Sequence, residues 1–215
     1  MSGRIPATLS FMLVAAATGA WAQTLELSGA VFNAQHRLLY QGSTSERSAV
    51  MIGGHGAVTL GRIGLSLSGF QGSLGEAGPA SPETKVRITS VVLTIRTTPW
   101  LSLGPEAEAR RFEADAGVTT WVMLGATARL SLAMGGGLRG FGEVSLFPVA
   151  EAKPVGETMS PAFRAAVGIS FSSPSGFEAR IGYRLDRFDF SGSATASRLE
   201  QFRGLVAGVG WRLRR

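Results

Sequence analysis

The sequence predicts an all-β chain: a transmembrane, antiparallel up-and-down β-barrel of about ten strands. Three observations lead there. Apolar residues recur at every second position through most of the chain. The links between these runs alternate between short and long. An export signal stands at the front, and no later run of 18 apolar residues could form a membrane helix, so a spanning chain has to close into a barrel.

The signal comes first. Arg4 supplies the positive charge, "LSFMLVAAATGA" the apolar stretch, and Ala20-Trp21-Ala22 the small-residue cleavage pattern. Cleavage after Ala22 is expected, which leaves one domain, the barrel, over 23–215. Charged residues make up 17% of the chain, below the roughly 25% of an ordinary soluble domain. There are no cysteines, so no disulfide is used and no lipid-anchored cysteine is available. The formal net charge is +6, carried by arginine; Lys85 and Lys153 are the only lysines. The one basic run is Arg212, Arg214 and Arg215, so no nucleic-acid partner is expected.

Strand by strand, Leu25, Leu27, Gly29 and Val31 mark the first run. Val50, Ile52, Val58 and Leu60 mark the second on even positions, and Ile63, Leu65 and Leu67 the third on odd positions. One strand cannot change face without a break, so a turn falls at Gly61 and Arg62. A single strand continuing through that point would lower the count, to as few as eight. Val86 to Ile95 form the fourth run. Leu101, Leu103, Ala107 and Ala109 mark the fifth, and Val122 to Leu132 the sixth. Leu138, Val144 and Leu146 mark the seventh, Phe163 to Phe171 the eighth, Phe177 to Leu185 the ninth, and Leu205 to Leu213 the tenth. Most runs are about 9 to 13 residues, long enough to cross a bilayer at a tilt. Short turns are expected at Gly61, "RTTPW", "MGGG" and "SSPSG". Longer polar loops are expected over 35–47, 72–84, 113–117, 150–160 and 191–199.

The other register carries both signs of charge: Glu26, Arg62, Glu106, Glu108, Arg110, Arg129, Arg139, Glu143, Arg164, Glu178, Arg180, Arg184, Asp186 and Arg212. An arginine facing lipid at mid-membrane costs about 2–4 kcal/mol. The charged face is therefore expected inside, as a lumen network of ion pairs suited to arginine's planar fork. Aromatics gather toward strand ends. Trp100, Phe163, Phe171, Phe177, Phe202 and Trp211 are expected at the two membrane interfaces. Phe112, Trp121, Phe147, Phe188 and Phe190 fall on the polar register instead.

Signal, strand period and loop asymmetry together resemble the small outer-membrane β-barrel proteins of Gram-negative-type bacteria, over 23–215. The resemblance implies an outer-membrane location, outer-membrane lipid as surroundings, and insertion by the outer-membrane assembly machinery. Such chains typically end on an aromatic residue; here "RLRR" follows Trp211.

No motif carries chemistry. "GGGLRG" has the spacing of a dinucleotide fingerprint, but a strand pattern follows it where a helix is needed. Glu106 and Glu108 lie about 7 Å apart on one strand face, a spacing that suits a salt-bridge cluster with Arg110. His36, near a loop, is the one candidate for a rim enzyme using a nearby acid or serine. No spaced cluster of His, Cys or Asp suggests a metal, and no cofactor is expected. The reading is a non-enzymatic envelope barrel with a structural or surface-exposed role, no catalytic residues and no specified ligand. A narrow, porin-like channel for small solutes, or a periplasmic or secreted soluble barrel holding an apolar ligand, are the alternatives.

Overall fold

In the computed structural model, the described residues are 24–40, 42–75, 83–115, 117–153, 157–190 and 198–214. The expected signal segment and cleavage site lie outside them. Ten strands follow in order: β1 (Thr24–Tyr40), β2 (Ser43–Leu60), β3 (Ile63–Leu74), β4 (Thr84–Arg96), β5 (Leu101–Ala114), β6 (Gly117–Gly135), β7 (Leu138–Lys153), β8 (Glu157–Ser172), β9 (Phe177–Phe190) and β10 (Arg198–Arg214). Each pairs antiparallel with its neighbours in sequence, and β1 pairs with β10 to close the barrel. Closure leaves no unpaired sheet edge. The count is ten rather than eight because Gly61 takes φ 60° and turns β2 into β3, pairing Leu60 with Ile63.

The strands are longer than the apolar periodicity suggests, from 12 residues in β3 to 19 in β6. The segment 35–47, expected as a loop, is almost wholly sheet: β1 and β2 stay paired from Thr24↔Thr59 up to Tyr40↔Ser43. Likewise β5 and β6 pair up to Ala114↔Gly117, and β7 and β8 re-pair at Ala152↔Glu157. The polar residues there are hairpin arms rather than loops. Parts of the expected loops 72–84, 150–160 and 191–199 lie outside the described residues.

The barrel's exterior explains the excess length. Near the short turns, outward positions are apolar: Leu27, Val31, Ile95, Leu103, Leu132, Val167, Ile181, Leu205, Val209 and Leu213 are all exposed. On β10 this band runs from Leu213 to Leu205. Nine residues at about 3.4 Å each, tilted about 40°, rise some 23 Å, close to the apolar band of a membrane barrel. Above it the same register turns polar: Asn33, Gln35 and Arg37 on β1, Arg87 and Lys85 on β4, Arg187 and Asp189 on β9. Outward ion pairs appear there, Arg111–Glu113 at 2.8 Å and Arg37–Glu46 at 3.6 Å. Hydrocarbon would not tolerate such pairs, so this zone lies beyond the apolar band.

The interior inverts at the same height. Below, it is polar; above, Phe32, Met51, Val86, Trp121, Met123, Phe188, Phe190 and Phe202 are each at most 2% exposed and form an apolar core. The aromatics that break the outward pattern (Phe112, Trp121, Phe147, Phe188 and Phe190) belong to this core or pack on it. Phe202 corrects an expectation. It faces inward at 0% exposure, because the band's apolar positions on β10 are odd-numbered and Phe202 is even. Trp100, Phe171 and Trp211 are exposed, Phe163 and Phe177 are half-buried, and Phe177 meets Trp211 edge-on at 5.4 Å.

One irregularity sets the core. Between Leu124↔Val149 and Ala126↔Leu146, two residues of β7, Phe147 and Pro148, stand against the single Gly125 of β6. Proline lacks the N–H for a ladder bond, and a Cβ on Gly125 would sit 1.9 Å from the Leu146 carbonyl oxygen. The bulge lets Leu146 and Val149 both face out while Phe147 turns inward.

Candidate functional site: the barrel lumen

From the short-turn end upward, the lumen has three levels: an open polar vestibule, a sealed ionic layer and the apolar core.

The ionic layer joins strands that are far apart in sequence. Inward positions of β5 carry Glu106, Glu108 and Arg110; β8 carries Arg164; β9 carries Arg184 and Asp186. Arg110 donates from Nε to Glu108 at 2.6 Å and from Nη2 to Asp186 at 2.5 Å. Arg184 grips both oxygens of Asp186 at 2.9 Å. Arg164 donates to Glu106 at 2.5 Å, to Glu143 at 2.8 Å, and to Glu108. Three arginines meet three carboxylates, with Glu143 at the lower edge shared with Arg129 at 2.7 Å. Ser145 donates to Glu106 at 2.6 Å. The side chains of Arg110, Glu106, Glu108 and Asp186 are 0% exposed. Charges this deep are tolerable only when paired in good geometry, as these are; Arg110 Nη1 alone in the layer has no hydrogen-bond partner among the described residues.

Aromatic rings of the core roof this layer. The Arg110 guanidinium lies 4.4 Å from the Phe188 ring centre and 5.3 Å from that of Phe202. Arg184 lies 5.4 Å from that of Phe32. The rings' negative faces offset part of the cations' lost hydration.

Below the layer, a cavity of about 750 Å³ opens at the short-turn end. Arg129, Glu143, Glu178, Arg180 and Arg212 line it, with Glu26, Arg62, Arg96 and Arg139. Arg212 bridges Glu26 at 2.6 Å and Glu178 at 2.9 Å. Three members of the expected ion-pair network do not pair. Among the described residues, Arg62, Arg139 and Arg180 have no carboxylate within 4.0 Å. The reason is stoichiometric: Glu26 and Glu178 are taken by Arg212, and Glu143 by Arg129 and Arg164. Arg62 is also displaced, since it sits exposed in the β2–β3 turn at the rim.

Sequence reasoning missed Ser66, Thr127 and Ser145, which complete the hydrogen bonding, and Arg96 at the vestibule mouth. Their inward register was readable, but serine and threonine are common on any polar face. His36, the candidate for rim chemistry, is 7% exposed. Its Nε2 lies 2.9 Å from Glu200, and its ring lies 4.5 Å from the Phe202 ring. His55 faces the vestibule. No group of three or more His, Asp or Glu able to hold a metal occurs among the described residues.

The geometry defines a closed ten-stranded barrel with an apolar girdle and a charged lumen. The chain has the fold of bacterial outer-membrane β-barrel proteins. It superposes on the outer membrane protease OmpT of Escherichia coli with a TM-score of 0.58 and 11% identity, over 88% of this chain and 96% of that one. Weaker similarities include Ail, the attachment invasion locus protein of Yersinia pestis (TM-score 0.42, 14% identity, 89% and 99% covered). Neisserial surface protein A is another (TM-score 0.39, 12% identity, 90% and 98% covered). The sequence matches no protein-family model and no curated protein.

Proposed function

We propose that this chain is a non-enzymatic, non-conducting barrel of the bacterial outer membrane that anchors a projecting β-stalk on the cell surface. One observation carries the reading: the lumen is sealed twice, by the ionic layer and by the apolar core above it. Arg110, Asp186, Phe188 and Phe202 are 0% exposed. A permeant ion would have to break paired charges and then cross a buried, apolar aromatic core. The polar outer faces of β1, β2, β4, β5, β9 and β10 support a stalk standing in water beyond the apolar band. Export with cleavage after Ala22, outer-membrane lipid around the band, and insertion by the assembly machinery belong to the same proposal.

The non-enzymatic part rests on the acids and bases themselves. Glu106 and Glu108 are buried beneath arginines, and His36 is buried between Glu200 and Phe202, so these three candidates are closed off from solvent, while the vestibule glutamates are held in ion pairs with arginine. The test is reconstitution in a planar bilayer. A silent barrel that still shows heat-modifiable gel migration is expected; discrete single-channel steps would overturn the proposal.

A further inference from the structure

The vestibule holds more cations than its function as a sealed lumen requires. Besides Arg164 and Arg184 of the ionic layer, six arginines line it (Arg62, Arg96, Arg129, Arg139, Arg180 and Arg212) against three glutamates, Glu26, Glu143 and Glu178. The glutamates are all engaged by Arg129, Arg164 and Arg212. The ionic layer above is balanced within itself and has no spare carboxylate to lend. Arg180 is the sharpest case: its Nε is buried without a hydrogen-bond partner among the described residues. A buried donor left unpaired is costly, and a surplus of cations in one cavity repels itself. Both terms are relieved by an anion.

We infer that the vestibule is a binding site for a small multivalent anion of the phosphate class, entering from the short-turn end. The site is preformed. Its volume of about 750 Å³ is that of a ligand pocket and exceeds a diphosphate several-fold, leaving room for bridging water. Arg139 and Arg180 stand on β7 and β9, strands held by the β7–β8 and β8–β9 ladders, so their spacing is fixed by the sheet. Arginine's fork matches phosphate oxygens in pairs. Arg62 and Arg96 at the mouth add attraction that salt would screen. The same chemistry fits a free oligophosphate and the phosphate headgroup of an inner-leaflet lipid. The inference takes its orientation from the proposed function but not its closure: a conducting barrel would overturn that reading and leave this one standing.

Pyrophosphate is titrated into the refolded full chain in uncharged, lipid-free detergent micelles by calorimetry. Saturable binding is expected, weakening as salt rises. The double variant R139Q/R180Q should bind about tenfold or more weakly. R180K, which keeps the charge, should stay nearer the wild type, and R87Q, which removes an outward arginine above the band, should match it. Heat-modifiable migration shows that each variant is folded. Competition by added phosphatidylglycerol would support the site with lipid as its source; its absence would support a soluble anion. No binding by the wild type, or equal binding by wild type and R139Q/R180Q, would overturn the inference.

Discussion

Replacing Arg110 with methionine tests the ionic layer most directly. The side chain is fully buried and bonds Glu108 at 2.6 Å and Asp186 at 2.5 Å. Removing one member of a buried ion pair costs about 3–5 kcal/mol, since the remaining charge stays buried. Two features of this layer reduce that figure. Asp186 keeps Arg184 at 2.9 Å, and Glu108 keeps Arg164. Arg110 also has a buried Nη1 without a partner, whose desolvation the substitution relieves by about 1 kcal/mol. The balance shifts from three cations and three anions to an excess of one negative charge. The expected loss for R110M is therefore about 3 kcal/mol, near the lower end of the range. Adding Asp186→Asn restores neutrality, so R110M/D186N should be less destabilised than the two single losses summed, by about 1 kcal/mol or more. Urea unfolding in phospholipid vesicles, followed by tryptophan fluorescence, measures all three variants. A loss below about 1 kcal/mol for R110M, or strict additivity, would refute the claim that these groups act as one charge-balanced layer.

Two further predictions probe the zones above and around it. Val167, 63% exposed in the apolar band, should cost about 2–4 kcal/mol when changed to arginine, while Ser48→Arg, outward on β2 beyond the band, should cost less than about 0.5 kcal/mol in the same urea titration. Trp121 is 2% exposed and packs on Phe112, Phe188 and Phe190 at 4.4, 5.0 and 5.3 Å; Trp121→Ala should lose about 3–5 kcal/mol yet remain silent in a planar bilayer, because the ionic layer beneath it is intact.

The sequence by itself determined the barrel class and the strand order. Period-2 alternation is local, and the parity break at Gly61–Arg62 locates a turn without reference to any other strand. The charged register was equally legible. The height at which the barrel leaves the apolar band was not read, although a signal existed: Arg111 and Glu113 occupy the outward register where Phe112 occupies the inward one. Periodicity reports which residues share a face, and not what medium each face meets. That depends on the level each residue reaches once ten strands are set in register.

Only the tertiary structure decided the pairing. Arg110 and Asp186 are 76 positions apart. No local pattern tells which of the arginines will reach a carboxylate and which will be left over. Closure of the sheet brings β5, β8 and β9 across one narrow lumen, and the distances there sort the charges. Three arginines are neutralised in the buried layer, and Arg62, Arg139 and Arg180 are left without a carboxylate partner among the described residues, around open space. Phe202 follows the same logic: its place near the end of an apolar strand was visible in the chain, but its inward direction is fixed by the register of β10 against β1 and β9.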